Sequence, residues 1–329
     1  MESMSANLMG TFGSDKKLTP YLDSLYQQSL SFSHFYSSGI HTNHGIYSTL
    51  YSFPAIMKRN AMKGSVIPVY SGLPTVLQEN GYCNLFFMTH ESQYDNMNAF
   101  LRTNGFDEIY AQENYPSEKV VNSFGVQDDF MYQYALPILN ERAGTGNPFF
   151  SVLLSISNHP PYVIPPYFHP HSDVLEEQIV EYADWSIRQF MQAAEKQPWF
   201  DNTIFVFLGD HGKMVGTPEC EMTQSYNHIP LMIYGKDIKP GVYDGFGGQV
   251  DVSPTLLGLL NISYLQNNFG VNLLEEERPC MFFTADNLIG ARDSVNMFIY
   301  SPDSQQEFKY KLEEGKLHAA TCLLYTSPS

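Results

Sequence analysis

Long apolar runs are missing from this 329-residue chain, and no stretch reaches the roughly 18–20 residues needed to span a bilayer. The start also lacks the charged region followed by an apolar region that marks a secretory signal. Cysteine is scarce: Cys83, Cys220, Cys280 and Cys322 are widely spaced and form no C-x-x-C pair. That excludes a small disulfide-framework scaffold and leaves the redox compartment open. Positive charge is short, with 18 Lys and Arg against 35 Asp and Glu and a formal net charge of −17. Nucleic acid or an anionic membrane surface is therefore disfavoured as the main partner. Low-complexity tracts, internal repeats and Pro/Gly/Ser linkers are absent too. What remains is an aromatic-rich globular composition, long enough for one large domain with an ample core.

Four short apolar runs read as buried strands: YCNLFFMTH (82–90), PFFSVLLSIS (148–157), TIFVFLGDH (203–211) and IPLMIYG (229–235). They are near-continuous rather than alternating, which suits strands covered on both faces. Helical patterns lie between them. TPYLDSLYQQSLSF opens with a Thr-Pro start signal, and Tyr21, Leu22, Leu25 and Leu30 suggest one apolar face. In EEQIVEYADWSIRQFMQAAEK, positions Ala183, Ile187, Phe190, Met191 and Ala194 recur at helical spacing, and Asp184 and Trp185 read as packing residues of that helix. VDVSPTLLGLLNI reads as a short helix capped by Asp251. Strands alternating with helices predict an α/β sandwich with a largely parallel sheet covered by helices.

The expected organisation is one catalytic domain over residues 1–265, with a small C-terminal elaboration of the same domain over 266–321. MESMSANLMGTFG begins with what reads as the end of a strand, so the chain is expected to be a fragment truncated at its first strand. The closing CLLYTSPS breaks the preceding pattern, and 322–329 is read as a non-native tail.

In open α/β sheets, ligands gather at the carboxyl ends of the strands. Here those ends carry Glu2, then Thr89 and His90, then Ser157, Asn158 and His159, then Gly209, Asp210 and His211. Taken alone, GDHG fits a helix cap beside a surface histidine as well as it fits a pair of metal ligands. Together with Glu2 and Thr42, the metal reading is the better one, because carboxylate and imidazole donors suit a divalent ion such as Mn²⁺ or Zn²⁺. Thr42 lies in the glycine-bounded loop SSGIHTNHGIY, where a threonine alone would read as a helix N-cap. His41 and His44 flank it, placed either to bond a phosphate or to be solvated. His228, in YNHIPLMIYG, precedes a strand, and structural and substrate-side roles are equally open. The two histidines of HPHSD (169–173) are weak grounds for a second metal.

The motifs MES, GTFG, LTPYLDSL, FSHFYSSGIHTNHGIYSTLYSFP, MTHESQYDNM, NGFD, ISNHPPY, FVFLGDHG, HIPLMIYG and QVDVSPTLLGLL occur in this order over roughly residues 1–265. In that order they resemble the catalytic domain of the lipoteichoic acid synthase family, phosphoglycerol transferases of the sulfatase and alkaline phosphatase superfamily. The resemblance implies that Glu2, Thr42, Asp210 and His211 surround one metal, usually manganese with zinc or magnesium as alternatives, and that Thr42 is the nucleophile. It implies a substrate-phosphate or proton-transfer role for His159 and a headgroup contact for His90. The segment SQYDNM departs from the Gram-positive enzymes, whose tryptophan and arginine near this position have no clear counterpart, so headgroup identity stays open.

The resemblance implies a metal-dependent transferase that moves a phosphoglycerol-type headgroup from a phospholipid to a glycan or polymer hydroxyl through a phospho-threonine. Alternatives are a phosphoethanolamine transferase, a phosphodiesterase or sulfatase-like hydrolase with the same metal, or an inactive binding domain. GIHTNHGIY has neither the proline nor the arginine of the sulfatase C/S-x-P-x-R motif, which argues against formylglycine chemistry. A membrane-anchored enzyme with its catalytic domain outside the cytoplasm is also implied, the anchor not being part of this chain.

Overall fold

The computed structural model describes residues 1–313 and 316–320; the tail expected at 322–329 lies outside them. The first helix, α1 (Pro20–Gln27), is followed by strand β1 (Leu30–Tyr36), helix α2 (Thr42–Tyr51) and helix α3 (Leu73–Glu79). Next come β2 (Cys83–Met88), α4 (Met97–Thr103) and β3 (Glu108–Tyr110), then the hairpin β4 (Val120–Asn122) and β5 (Gly125–Val126). The chain continues through α5 (Asp128–Gly144), β6 (Phe149–Leu154), α6 (Leu175–Ala194), β7 (Phe205–Leu208), β8 (Leu231–Tyr234), β9 (Gly241–Gly248) and α7 (Val252–Leu259). Strands β10 (Met281–Thr284), β11 (Ile289–Arg292), β12 (Asn296–Ser301), β13 (Gln306–Glu313) and β14 (Lys316–Ala319) form a separate antiparallel meander. No helix among the described residues is long and apolar enough to cross a membrane.

The expected α/β architecture is present. Strands β3, β2 and β6 form a parallel sheet. A second sheet runs β7-β8-β1-β9, in which β8 is antiparallel to both neighbours and β9 is parallel to β1. The near-continuous runs of β2 and β8 are buried as expected, whereas β6 and β7, also expected to be buried, are mostly half-buried because a cavity lies between them; β2 shows the cause inferred for such runs. Leu85 and Phe87 of β2 join the cluster containing Leu22, Tyr182 and Ile187, whereas Phe86 and Met88 join the one containing Ile46, Tyr51 and Phe100. Alternate side chains thus enter cores on opposite faces.

One helical expectation is corrected. The apolar pattern read as continuing to Leu30 breaks at Gln27, and Leu30 begins β1 rather than completing a helix face. Leu, Phe and Tyr serve either period, and β1 is held by pairing with β8 and β9, which lie some 200 residues away in sequence. Asp184 does more than pack: its carboxylate accepts the Tyr21 and Leu22 amides at 3.0 and 2.8 Å, capping α1 from α6.

Asp251 also departs from expectation. It precedes α7 but makes no capping bond there. Its fully buried carboxylate instead takes a bidentate pairing from Arg278, with contacts of 2.5–2.8 Å, and accepts the Gly248 and Val271 amides. Burial pushes its pKa up, opposed by the guanidinium.

Between β6 and β7 lies an apolar cavity of about 270 Å³, walled by side chains including Phe150, Val152, Leu154, Phe205 and Phe207. Met1 bridges its end. The terminal amine donates to Leu208 O at 2.8 Å, and the Asp210 amide donates to Met1 O at 3.0 Å, the pattern of a parallel ladder with β7. On the β6 side, the Glu2 amide donates to Ser155 Oγ at 3.0 Å.

Replacing Arg278 with Leu leaves the Asp251 carboxylate buried and unpaired. It is expected to cost about 3 kcal/mol of stability, read as a lower midpoint in urea. The double variant Asp251→Asn/Arg278→Leu is expected to recover part of that loss.

Candidate active site

Glu2, Asp210 and His211 converge at the carboxyl ends of the sheet, with one ligand atom from each within 4.8 Å of the others. Among the described residues this is the one His/Cys/Asp/Glu group with such spacing. The HPHSD histidines do not form another: the His171 amide and Nδ1 both contact Glu181 Oε2, at 2.7 and 3.1 Å.

Each ligand atom is aimed by its other bonds. Asp210 Oδ1 accepts the amides of Ser3 (2.9 Å) and His211 (2.8 Å), while Oδ2 is buried without a partner. His211 Nδ1 contacts Gly212 O at 2.8 Å. A carbonyl only accepts, so Nδ1 carries the proton and Nε2 turns its lone pair to the carboxylates. That nitrogen lies 3.6 Å from Asp210 Oδ2 and 3.8 Å from Glu2 Oε1. Ser3, at φ +49°, curls back so that its hydroxyl donates to Glu2 Oε1 at 2.6 Å.

Thr42 is the first residue of α2 rather than its cap; His41 holds the cap position without a side-chain capping bond. Freed from capping, the Thr42 hydroxyl donates to Glu2 Oε2 at 3.3 Å. All four residues expected around a metal therefore meet. Gly45, one turn into α2, lies against the Asp210 backbone: a Cβ there would sit 2.4 Å from the Asp210 carbonyl oxygen.

The electrostatics are those of a site that wants a cation. Burial, then the charge of Asp210, raises the Glu2 carboxyl to about 8. For His211, burial pulls the pKa down, but the charges of Asp210 and Glu2 prevail and hold it above its usual value. Protons are thus drawn to a cluster where a divalent ion would serve the carboxylates better. The orphaned Asp210 oxygen, the second carboxylate, the oriented imidazole nitrogen and the hydroxyl form a donor set that fits such an ion.

The other sequence candidates spread around this centre. His90 is buried, with Nδ1 on Glu91 O at 2.9 Å, and burial lowers its pKa. His159 is half-buried, with Nδ1 on Pro160 O at 2.6 Å. A line of rings joins them: His90 to Tyr94 at 4.8 Å, Tyr94 to Phe124 at 6.0 Å, Phe124 to His159 at 4.2 Å. Gly125, at φ +91°, lets the hairpin carrying Phe124 close on Thr89, whose carbonyl oxygen would lie 1.8 Å from a Cβ there. His228 stands apart. Its Nε2 contacts Ser33 O at 2.9 Å, its ring stacks on Tyr36 at 5.3 Å, and burial lowers its pKa to about 4. Those contacts describe the structural role.

Several residues at the site gave no sequence signal. Gln249, fully buried, receives the Ser38 amide at 3.0 Å and donates to Gly209 O and Asp210 O at 3.1 and 2.6 Å, tying the loop before Thr42 to the end of β7. Lys213 donates to Asn158 Oδ1 at 2.6 Å, and Asn158 donates to the carbonyls of Glu2 and Ser3. Burial lowers the Lys213 pKa to about 8. His41 Nε2 reaches Asp286 Oδ1, between β10 and β11, at 2.6 Å, so the C-terminal meander touches the loop before Thr42. Asp95 accepts from Asn43, beside Thr42, at 3.1 Å. Lys213 directly follows GDHG, a signal the sequence reading did not use; nothing local marks Gln249, Asp286 or Asp95.

Comparison with known proteins fits this geometry. A lipoteichoic acid synthase-like protein of Bacillus subtilis (strain 168), YvgJ, is 25% identical over 313 residues, covering 84% of this chain and 49% of the relative. The chain spans about half the length of the curated relatives it matches. A crystal structure of a protein in the alkaline phosphatase superfamily from Vibrio parahaemolyticus superposes with a TM-score of 0.88 at 28% identity, covering 98% of this chain and 80% of that one. The lipoteichoic acid synthase LtaP from Listeria monocytogenes shares the fold, with a TM-score of 0.82 at 22% identity, covering 97% of this chain and 84% of that one. The sulfatase family model matches residues 1–262, and this chain belongs to the sulfatase family.

Proposed function

We propose that this domain is a metal-dependent phosphotransferase. It moves a phosphoglycerol-type headgroup from a phospholipid to an acceptor hydroxyl, on a glycan or growing polymer, through a phospho-threonine at Thr42. The observation that carries this reading is the Thr42 hydroxyl, at the head of a helix and bonded into the buried Glu2–Asp210–His211 cluster.

Glu2, Thr42, Asp210 and His211 would hold the ion, Mn²⁺ first with Zn²⁺ or Mg²⁺ as alternatives; when bound it lowers the hydroxyl pKa and offsets charge on the phosphoryl oxygens. The protein does the rest. Thr42 Oγ1 attacks phosphorus, and its proton leaves along the hydrogen bond to Glu2 Oε2. The first amides of α2, which have no acceptor within the helix, face the phosphate oxygens. As the phosphorus–oxygen bond to diacylglycerol breaks, His159 Nε2 protonates the departing alkoxide. His159 then takes the proton of the acceptor hydroxyl, which attacks phosphorus and displaces Thr42, whose Oγ1 recovers its proton from Glu2 Oε2 along the same hydrogen bond. Lys213, through Asn158, keeps the Glu2–Ser3 turn in place.

A second reading, transfer of phosphoethanolamine, draws on Asp95: this carboxylate accepts from Asn43, next to the nucleophile, and would favour a cationic headgroup able to displace its partner Lys63. Placement at the cell membrane, with the domain on its outer side, follows from the same reading.

Incubation with phosphatidylglycerol vesicles is expected to leave phosphoglycerol on Thr42, seen by mass spectrometry, and Thr42→Ala is expected to lose about 10⁴-fold or more in turnover. An unmodified Thr42 with full activity in Thr42→Ala rules the mechanism out. Paired phosphatidylethanolamine vesicles separate the two headgroups, and release to water as fast as to a sugar identifies a hydrolase. His159→Gln is expected to lower kcat by about 10²-fold or more, with much less effect on a diester whose leaving group needs no proton.

The metal-free cluster binds protons more tightly folded than unfolded, because Glu2 is raised from 4.5 to about 8 and His211 is raised too. That contribution to stability is complete at low pH and is lost as pH rises through the folded value. Thermal melts without metal should therefore weaken from about pH 5 to pH 8, and Mn²⁺ should raise the midpoint more at pH 8 than at pH 5. Equal shifts at both pH values would contradict the assignment of Glu2 as a ligand.

A further inference from the structure

None of the chain's 35 acidic residues falls between Asp23 and Glu79, although the net charge is −17. That interval contains the nucleophile loop, helix α2 and the long connection from Ser52 to Gly72. The connection carries three exposed cations, Lys58, Arg59 and Lys63. It also exposes Ile56 (41%), Val66 (78%) and Val69 (77%). Phe269, 64% exposed, extends the apolar surface: Phe53 lies 5.9 Å from its ring and 5.4 Å from that of Tyr70, the residue after Val69.

An isolated exposed valine needs no explanation. This one does, because the base of the connection is anchored while its apolar side chains face water. Met62 is buried, and its carbonyl accepts Asn96 Nδ2 at 2.7 Å. The Tyr70 amide donates to Asn104 Oδ1 at 2.7 Å. Lys63 pairs with Asp95 at 2.6 Å, and Asp95 in turn accepts from Asn43, next to Thr42. Lys58 pairs with Asp303, an exposed contact that exchanges readily with solvent and other anions. Arg59 has no acidic partner among the described residues.

We propose that the 56–69 connection is a docking surface for an anionic lipid bilayer. Val66 and Val69 enter the interface, and Arg59, with Lys58 beside it, meets the headgroups. Charge complementarity selects this occupant: the acidic remainder of the chain is repelled by such a surface, whereas this connection has no acidic residue of its own and presents an exposed Arg59 without an acidic partner among the described residues. Apolar residues flanked by cations are the combination that holds a protein at a lipid interface. Lys63, Asp95 and Asn43 tie this connection to the residue beside Thr42, so docking here brings the bilayer near that hydroxyl. The inference rests on the reading of a phospholipid as donor.

The test is sedimentation of the protein with sucrose-loaded vesicles of phosphatidylglycerol or of phosphatidylcholine. A parallel assay follows turnover of a water-soluble diester, bis(p-nitrophenyl) phosphate, in the presence of Mn²⁺. Wild type is expected to sediment with phosphatidylglycerol and much less with phosphatidylcholine. Val66→Asp/Val69→Asp is expected to weaken binding by about tenfold or more, and Arg59→Glu by about tenfold, both with soluble-diester turnover unchanged. Wild type that ignores phosphatidylglycerol, or variants that bind as wild type does, overturn the proposal. So does a concentration-dependent dimer that the same substitutions abolish without any effect of vesicles, since the face would then be a self-contact. A wild type that binds vesicles but turns over neither lipid nor diester overturns the catalytic reading and leaves the docking surface standing.

Discussion

Two buried carboxylates facing each other are the constraint on which the rest of the structure depends. Glu2 and Asp210 are both shielded from water, and the bonds around them satisfy only part of their oxygens. Left to themselves they repel, and the fold answers by holding protons there and by adding the imidazole of His211. Such an arrangement is costly in a scaffold with no use for it. It is intelligible in one that receives a divalent ion, and it explains why two backbone amides are spent on aiming one oxygen of Asp210.

The framework that sustains this crowding comes from chain segments far apart in sequence. Met1 pairs with the end of β7 through backbone bonds, and the next residue reaches the β6 side, where Ser155 receives the Glu2 amide. Gln249, from beyond β9, binds the loop before Thr42 and the end of β7 with the same amide group. The site is thus set by the relative placement of strand ends, and helices on both faces hold those strands by apolar packing. The C-terminal meander adds an outer contact through Asp286 and His41, and the Thr284 amide bonds Ser38 O at 2.8 Å.

Much of this was legible in the sequence because strand ends and motifs are local. The runs at 82–90, 148–157, 203–211 and 229–235 each contain a strand, and the four residues expected around a metal do meet. The failures have physical causes. Residues 28–36 carry apolar groups that suit either a helix or a strand, and only pairing with β8 and β9 settles the matter. Asp251 looks like a cap until Arg278 is brought to it from 27 residues away. Asp95, Asp286 and Gln249 are invisible for the same reason: their importance lies in partners that no spacing rule connects.

Helix α2 crosses the Asp210 backbone at Gly45, where the only thing separating them is a hydrogen atom. The distance between the Thr42 hydroxyl and the carboxylate cluster is consequently a matter of steric clearance rather than of any attraction that could stretch. Any bulkier residue at that crossing must displace the helix, and the displacement carries Thr42, one turn away on the same face, with it. The aim of that hydroxyl is in this sense gauged by a neighbour that has no side chain of its own.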